Sequence, residues 1–241
     1  MIGWLIYSAV DVEKNKYYIQ MYKDKFKEHF IEIKLVIVEE LENMEQYVKC
    51  NKVDFAINRS RNHIMGELLE QKGVRVFNSS SVTRIANNKG ITYEFLKDVV
   101  PFLAVKYGNE IIESKIENKG FEYPYVIKSC SGHGGSQVFL VNNSKEEEQA
   151  VKAMNGQEYV VQQCCSDLGR DVRVYIIGNK IIKAVLRIST ESFKSNYSLG
   201  GKVQEYTLNN EEKAMVERIV DKLPQDYAGI DFTFNNGKAG F

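Results

Sequence analysis

A glycine-rich loop, Ser129–Ser136, has the composition best suited to binding a phosphate group. It reads Ser-Cys-Ser-Gly-His-Gly-Gly-Ser and lies between two predicted strands, Tyr125–Lys128 and Val138–Val141. Small residues let successive backbone N–H groups point at one anion, and Lys128 would place an ammonium group on the same phosphates. The loop is not a Walker A loop, because no Lys-Ser/Thr pair follows the glycines. Nor is it a Rossmann fingerprint, which has a third glycine where Gln137 stands and then a helix. The alternative is a flexible hairpin loop.

Two later segments place polar residues on predicted strands. One strand ends at Gln163 and Cys164, whose backbone groups suit the edge of an adenine ring; the alternative is an ordinary strand end. In the next strand, Asp171 and Arg173 alternate with valines, so both face one side of a sheet. Arg187 ends the paired strand. A carboxylate and two guanidinium groups suit ribose and phosphate, and the alternative is an exposed ion pair.

Three further groups of residues complete the candidate chemistry. Asp231 lies in an otherwise apolar predicted strand, and a buried unpaired carboxylate is costly, so it needs Mg²⁺ or an arginine as a partner. The polar segment Phe193–Asn196, followed by paired glycines, is typical of a mobile substrate-facing loop. Arg59 and Arg61 follow a predicted strand at the edge where α/β sheets bind ligands, which predicts contact with an anionic substrate in the active-site cleft. A solvated basic loop is the alternative for these two arginines.

The predicted elements around these residues change in character near Val82, where we place a domain boundary. Before it, short apolar strands alternate with helices, which predicts a mostly parallel sheet. These strands are Ile2–Tyr7, Ile33–Val38, Val53–Asn58 and Val74–Phe77, with helices over Lys14–Phe30 and His63–Lys72. After the boundary we predict helices over Ala86–Asp98, Lys145–Met154 and Asn210–Leu223, and strands over Phe102–Lys106, Tyr159–Gln163, Asp171–Ile177, Lys180–Arg187 and Tyr227–Phe234. Gly178-Asn179 and Asn236-Gly237 are predicted hairpin turns.

Composition excludes several classes of protein. The 241 residues include 32 basic and 32 acidic side chains, and this balance argues against a nucleic-acid or anionic-membrane partner. The hydrophobic share of 44% argues against disorder, and no apolar run approaches the ~20 residues of a membrane span. Four cysteines without metal-ligand spacing predict a reducing, cytoplasmic protein that has neither disulfides nor a zinc site.

The order and spacing of these segments, from Ala86-Asn87-Asn88-Lys89 through Asp231, resemble the ATP-grasp superfamily. The likeness is greatest to its RimK-type branch, the ATP-dependent carboxylate–amine ligases related to ribosomal-protein glutamate ligase and to the LysX-type enzymes of lysine biosynthesis. It implies an α/β (α+β) fold: a Rossmann-like pre-ATP-grasp domain at 1–82 and a two-lobed ATP-grasp domain at 83–241. The lid lobe would span about 100–163, and an incomplete C-terminal lobe about 164–241.

The resemblance also implies roles for individual residues. Nucleotide contacts fall to Lys89, Lys128, Gly132, His133, Gly134, Gly135, Ser136, Gln163, Cys164, Asp171, Lys194, Ser195 and Asn196. Arg173, Arg187 and Asn196 would be catalytic, the two arginines stabilising phosphate and acyl-phosphate charge. Asp231 would be the first ligand of Mg²⁺, or of Mn²⁺ in its place.

The implied reaction is ATP- and Mg²⁺-dependent joining of a small-molecule or peptide carboxylate to an amino-acid-like amine, through an acyl phosphate. Ser198–Gly201 departs from the His-Arg-Gly-Gly of the ribosomal-protein ligases, and so argues against their acidic-peptide substrate. The family's Glu-x-Asn metal pair falls beyond Asp231, and the sequence ends ten residues after that aspartate, so we expect a shortened chain that catalyses poorly. The alternatives are an ATP-binding module that acts as sensor or scaffold, and a kinase that stops at the phosphorylated product. Oligomeric state stays open, a homo-oligomer included.

Overall fold

The computed structural model describes residues 1–108, 122–133, 135, 137–189 and 202–241. The chain divides into two compact units, Met1–Arg84 and Ile85–Phe241. The structure thus divides the chain inside a helix, a short distance after Val82. Among the described residues, no helix has both the length and the apolar character that a bilayer crossing needs.

The first unit is built on a parallel sheet with the strand order β2-β1-β3-β4. Its strands are β1 (Ile2–Tyr7), β2 (Glu32–Ile37), β3 (Phe55–Asn58) and β4 (Arg75–Phe77). Its helices are α1 (Ala9–Val12), α2 (Lys16–Lys27), α3 (Met44–Cys50) and α4 (His63–Gln71), with a 3₁₀ turn at Val38–Glu40. Trp4 and Ile6 of the central strand are fully buried, and they anchor a core that includes Met65 and Leu69 of α4. The predicted parallel sheet is confirmed.

The second unit contains two antiparallel sheets. The first has the order β5-β8-β6-β7. We call it the four-stranded sheet, and we call the sheet of the first unit the parallel sheet, although that sheet also has four strands. Its strands are β5 (Val105–Tyr107), β6 (Tyr125–Ser129), β7 (Val138–Val141) and β8 (Tyr159–Gln163). Helix α7 (Ser144–Met154) packs on one face of this sheet, where Ile127 and Val161 are buried with Ala150 and Met154 of the helix.

The second sheet, which we call the five-stranded sheet, has the order β11-β10-β9-β12-β13. Its strands are β9 (Arg170–Ile177), β10 (Lys180–Ile188), β11 (Lys202–Tyr206), β12 (Tyr227–Asn235) and β13 (Lys238–Gly240). One face is apolar, with Val172 and Val174 buried against Met215 and Val216 of helix α8 (Asn210–Lys222). The opposite face carries the polar residues of β9, because successive side chains of a strand point to opposite sides. Both predicted hairpin turns are confirmed.

Two predicted elements of the second unit were wrong in their limits. The helix predicted over Ala86–Asp98 is shorter, α6 (Lys89–Leu96), and a helix that was not predicted, α5 (Ser80–Ala86), precedes it. The break occurs at Asn88, whose extended backbone and side-chain oxygen cap the second helix. The strand predicted over Phe102–Lys106 begins later, at Val105, because only from there does the chain pair with β8.

Candidate active site

Lys89 begins helix α6 and is tied to the glycine-rich loop. Its backbone N–H donates to the carbonyl oxygen of Cys130 at 2.9 Å. Its Nζ donates to the carbonyl oxygen of Ser129 at 3.1 Å and to that of Gly132. The side chain of Asn88 accepts a hydrogen bond from the first turn of α6, which fixes the start of the helix. The cap therefore also fixes the ammonium group of Lys89 beside the loop.

Lys128 points to the face of the four-stranded sheet that is not covered by α7. It lies opposite Val160 in the antiparallel register, and Gln162 is two residues further along the same strand. Alternation puts these three side chains on one face, while Ile127 and Val161 face the helix. The Nζ atom of Lys128 donates to Oε1 of Gln162, a residue that is only 4% exposed.

The two lysines, which we call the lysine pair, act on each other electrostatically. Burial lowers the pKa of Lys89, and the positive charge of Lys128 lowers that pKa further, while the Cys130 thiol opposes both effects. Their hydrogen-bond acceptors are uncharged carbonyl and amide oxygens. The pair is therefore a local excess of positive charge, which a polyanion would relieve.

The predicted adenine hinge follows directly from β8 and lies near Lys128. The backbone N–H of Gln163 donates to the carbonyl oxygen of Ala104 at 2.9 Å, so a hinge role at Gln163 would rest on its carbonyl. Burial raises the thiol pKa of both Cys164 and Cys165, and the charge of Lys128 opposes each rise. The charge of Lys128 thus acts on the thiol of Cys164 in the predicted hinge and on that of the next residue, Cys165.

Four charged residues form a second cluster on the polar face of the five-stranded sheet. Asp171 accepts two hydrogen bonds from Arg187, at 2.6 and 2.7 Å, and Asp231 accepts two from Arg173, at 2.7 and 2.6 Å. Arg187 also lies 3.2 Å from Asp231, so the two pairs join into one arginine–aspartate network. The pKa of each arginine is raised: for Arg173 the hydrogen bonds to Asp231 lead, and for Arg187 its aspartate partners outweigh burial. The partner that we predicted for Asp231 is an arginine in this structure.

Cys165, the residue after the predicted hinge, has a thiol whose pKa responds to Lys128 and to Thr233. Burial raises the pKa of its thiol, and a hydrogen bond with the Thr233 side chain and the charge of Lys128 oppose that rise. Thr233 is two residues after Asp231 on β12, so it shares the polar face of the five-stranded sheet, and it lies opposite Asp171 in the register. The pKa of the Cys165 thiol is thus affected by Lys128 and by a residue that shares a face with Asp231.

Asp231 is the described residue that best fits a divalent cation. Its side chain is 40% exposed and offers hard carboxylate oxygen atoms, although both of them accept hydrogen bonds from Arg173. Mg²⁺ is usually held by one or two carboxylates together with substrate phosphates. Within the described part of the chain, no three His, Cys, Asp or Glu residues could hold a metal on their own. A single carboxylate of this kind fits an ion that arrives with a nucleotide.

The two arginines predicted to hold substrate differ in their surroundings. Arg61 forms an ion pair with Asp11, so its charge is already matched. Arg59 is exposed, and it acts on Tyr7 through a hydrogen bond and its charge, both of which oppose the rise that burial causes in the pKa of that phenol. Both arginines belong to the first unit and follow β3, at the carboxyl edge of the parallel sheet.

The remaining predicted site residues lie in or near the glycine-rich loop and in the segment around Lys194. His133 is exposed, and Gly135 has a φ of +78°, a conformation that favours glycine. Gly134, Ser136, Lys194, Ser195 and Asn196 lie outside the described residues. No role of a predicted site residue is tested by its position alone, and these roles stay predictions.

Sequence reasoning missed Gln162, the acceptor of the Lys128 ammonium group. The signal available in the sequence was a polar residue at the fourth position of β8, directly after three residues with large apolar groups. The Thr233 hydroxyl, which links the hinge to β12, was missed as well. The signal available in the sequence was its position two residues after Asp231, because residues two apart in a strand share one face of the sheet.

These features define an α/β protein in which two antiparallel sheets carry a glycine-rich loop, a lysine pair and a network of arginines and aspartates. A family model described as the RimK-like ATP-grasp domain matches residues 86–240, more than half of the chain. The chain belongs to the RimK-like ATP-grasp family, as the order of its motifs predicts.

Relatives with similar sequences include proteins of named and of unnamed function. The chain is 32% identical over 227 residues to "Uncharacterized protein MG011" of Mycoplasma genitalium, covering 93% of this chain and 76% of that protein. It is 30% identical over 175 residues to β-citrylglutamate synthase B of Danio rerio, covering 70% of this chain and 43% of the synthase. The chain thus spans less than half the length of that synthase.

Solved structures share the fold across the whole chain. The RimK domain ATP-grasp protein of Sphaerobacter thermophilus has a TM-score of 0.74 at 19% identity, covering 100% of this chain and 88% of that one. The D-alanine–D-alanine ligase of Bacillus anthracis, solved with ATP, has a TM-score of 0.73 at 16% identity, covering 100% and 84%. The predicted fold class is confirmed.

Proposed function

We propose that the chain is an ATP- and Mg²⁺-dependent ligase that joins a carboxylate to an amine through an acyl phosphate. The observation that carries the proposal is the hydrogen bonding of Lys89 to the glycine-rich loop beside Lys128, in the same unit as the arginine–aspartate network. Family membership supports amide-bond ligation driven by ATP in general terms. The particular reaction and the roles below are our inference.

The reaction proceeds in two steps. A substrate carboxylate oxygen attacks the γ-phosphorus of ATP, forming one P–O bond and breaking another, and ADP leaves. The amine nitrogen then attacks the carbonyl carbon of the acyl phosphate, phosphate leaves, and the amine gives up a proton. Such transfers depend on positioning and on charge stabilisation more than on covalent participation by the protein.

The side chains of the two clusters supply those two needs. The lysine pair would hold the β- and γ-phosphates through charge-assisted hydrogen bonds, with the loop backbone around them. Arg173 and Arg187 would face the charge that develops on the transferred phosphoryl group. Their geometry is preset by Asp231 and Asp171, so little reorganisation accompanies the reaction.

The fold implies ATP and a divalent metal ion, and we propose that this ion is Mg²⁺, with Mn²⁺ as a substitute. Asp231 would hold this ion, which would supply positive charge to neutralise part of the phosphate charge. The exposed fraction of the Asp231 side chain supports this role.

For the substrates we propose a small-molecule or peptide carboxylate and an amino-acid-like amine. This is supported by a relative whose name gives its product as β-citrylglutamate. In the first unit, Arg59 and Arg61 are the cations that we propose for the anionic substrate, and Arg61 is held by its ion pair with Asp11. We also propose a cytoplasmic setting, because all four cysteines are free thiols.

The test separates nucleotide binding from ligation. Calorimetry on the wild-type protein should detect ATP binding, and Lys128→Met should weaken it by about tenfold to a hundredfold, since a hydrogen bond to a charged group contributes about 1.5–3 kcal/mol. ADP should form only when a carboxylate pool and an amino-acid pool are both added. If ADP forms with carboxylates alone and a stable phosphorylated product accumulates, the protein is a kinase.

A second function, an ATP-binding module without ligase activity, is favoured by one observation. Both oxygens of Asp231 accept hydrogen bonds from Arg173, and Arg187 lies beside one of them, so the carboxylate is already matched by two cations. In the same assay this function predicts calorimetric ATP binding with no ADP from any pool. Asp231→Asn should then leave ATP affinity unchanged, whereas in the ligase it should weaken the binding of Mg²⁺-ATP.

A further inference from the structure

We propose that Gln162 is a positioning residue: its buried side-chain carbonyl holds the ammonium group of Lys128 in place beside Lys89, ready for phosphate. The inference rests on the proposed function, because it concerns the same nucleotide site. It assigns a role to a side chain that would not itself touch the nucleotide.

Gln162 is buried within the four-stranded sheet, so its side chain is not a solvated surface group. β8 lies between β5 and β6, so Gln162 has a cross-strand neighbour on each side, Val105 and Val126. The residue is only 4% exposed and follows the buried residues Tyr159, Val160 and Val161. A buried amide requires a hydrogen-bond partner, and its carbonyl oxygen has one in Lys128.

The direction of the side chain is set by the strand. Gln162 shares a face with Val160 and Lys128, and this is the face opposite the one that α7 covers. A hydrophobic residue here would extend the apolar surface of the strand, as Val160 does. The amide instead places one acceptor within reach of one ammonium group.

The lysine pair creates the need for that acceptor. The charge of Lys128 lowers the pKa of Lys89, so the two ammonium groups repel each other. Lys89 is held by two loop carbonyl groups, those of Ser129 and Gly132. Lys128 is held by Gln162 on the other side. Without the amide, repulsion and the entropy of a four-carbon side chain would move Lys128 away from the position in which both cations meet one phosphate chain.

A neutral acceptor is also the right chemistry. A glutamate at this position would form an ion pair with Lys128 and cancel the charge that a phosphate has to meet. The amide orients the ammonium group and leaves its charge in full. The described chain shows the contrasting arrangement in the arginine–aspartate network, where each guanidinium faces a carboxylate.

The experiment is a double-mutant cycle on the affinity for ATP and for adenosine, measured by calorimetry. Gln162→Met keeps the length and removes the acceptor. It should weaken ATP binding by about tenfold, the equivalent of one charge-assisted hydrogen bond, and change adenosine binding by less than twofold. In a Lys128→Met background, the same substitution should change ATP affinity by less than twofold, because the group that it positions is gone.

Gln225→Met is the matched control. Gln225 is a buried glutamine of the same unit, 5% exposed, and its Oε1 has no hydrogen-bond partner among the described residues. The control should leave both affinities unchanged. Gln162→Asn, which retracts the amide by one methylene, should reproduce the loss of ATP affinity, and thermal melting shows that each variant is folded.

The outcomes separate this inference from the proposed function. If Lys128→Met binds ATP as the wild type does, the phosphate role of the lysine pair fails, and the positioning role fails with it. If Lys128→Met loses affinity and Gln162→Met does not, only the positioning role fails. Equal losses for ATP and adenosine, or additive losses in the double variant, would show that Gln162 is merely structural.

Discussion

The lysine pair and the arginine–aspartate network handle charge in opposite ways. In the lysine pair, two like charges lie together, and their acceptors are uncharged oxygens. In the network, two guanidinium groups meet two carboxylates at N···O distances of 2.6–3.2 Å, and their formal charges cancel. The lysine pair therefore carries a net positive charge, whereas the arginine–aspartate network carries no formal net charge.

The difference assigns the two clusters different tasks. Uncompensated ammonium groups attract a polyanion, and their attraction weakens as salt is added. Compensated guanidinium groups hold a fixed geometry at lower electrostatic cost, and they respond when a charge appears beside them or a partner is taken away. The first arrangement suits the capture of a nucleotide, and the second suits a step in which charge moves.

The largest effect is expected from unbalancing the network. In Asp171→Ala, Arg187 loses its bidentate partner although its side chain is only 7% exposed. Removing one member of a buried ion pair costs about 3–5 kcal/mol, and we expect the lower end because Asp231 remains 3.2 Å away. Chemical denaturation should show a fall of about 3 kcal/mol in the free energy of unfolding.

An exposed pair on the same sheet serves as the control. Lys183 and Glu205 lie 3.3 Å apart with side chains that are 51% and 75% exposed. Lys183→Ala should change the free energy of unfolding by less than about 1 kcal/mol. If the two variants are equally stable, the network is not the buried, compensated cluster that its geometry describes.

Most elements of the fold were predictable because their periodicity is set by burial. β1 is apolar throughout because it lies in the middle of a parallel sheet, and β9 alternates because one face packs on α8. Helix α3 and strand β11 were not predicted. Only one residue of α3, Val48, is buried, and β11 is an exposed edge strand, so neither carries the pattern that burial imposes.

A smaller effect on stability is expected from replacing a glycine beside each cluster by alanine, because the space for a Cβ atom differs between the two sites. A Cβ atom at Gly90, on α6 beside the lysine pair, would lie 2.7 Å from the Tyr107 ring, whose hydroxyl donates to the carbonyl of Gly90 at 2.7 Å. Overpacking costs about 1–3 kcal/mol, and the better helix propensity of alanine returns about 1. Gly90→Ala should therefore lower the free energy of unfolding by about 1 kcal/mol in chemical denaturation.

Gly229→Ala is the counterpart beside the network. There a Cβ atom would lie 3.3 Å from the Arg173 side chain, a contact that a shift of a few tenths of an ångström relieves. We expect a change of less than about 0.5 kcal/mol. A more stable Gly90→Ala variant would mean that the Tyr107 ring moves freely, and that α6 is held less rigidly than the contacts of Lys89 indicate.

The site was predictable where residue type alone carries the chemistry. A glycine-rich loop beside a lysine, and Asp171 alternating with Arg173, are visible in the sequence. The partners are not, because they depend on the register between strands distant in the chain: Asp231 meets Arg173 across 58 positions, and Lys128 meets Gln162 across 34. Sequence reasoning offered Mg²⁺ and an arginine as partners for Asp231, and the register identifies the arginine as Arg173.

The smallest effect concerns the pKa of Lys89. Burial is the first cause of its lowering and the charge of Lys128 the second, so Lys128→Met should raise the pKa of Lys89 while leaving it below the ordinary value of 10.5. A lysine whose pKa is lower in the folded protein makes the unfolded chain bind more protons between the two pKa values. Stability therefore rises as pH increases through that window, which closes at about 10.4. In Lys128→Met this pH window narrows, and the rise in stability across it becomes smaller.

NMR titration of ¹³C-labelled lysine side chains measures the pKa of Lys89 directly. An unchanged pKa would mean that the two ammonium groups do not interact, and that the contrast between the two clusters lies in burial alone.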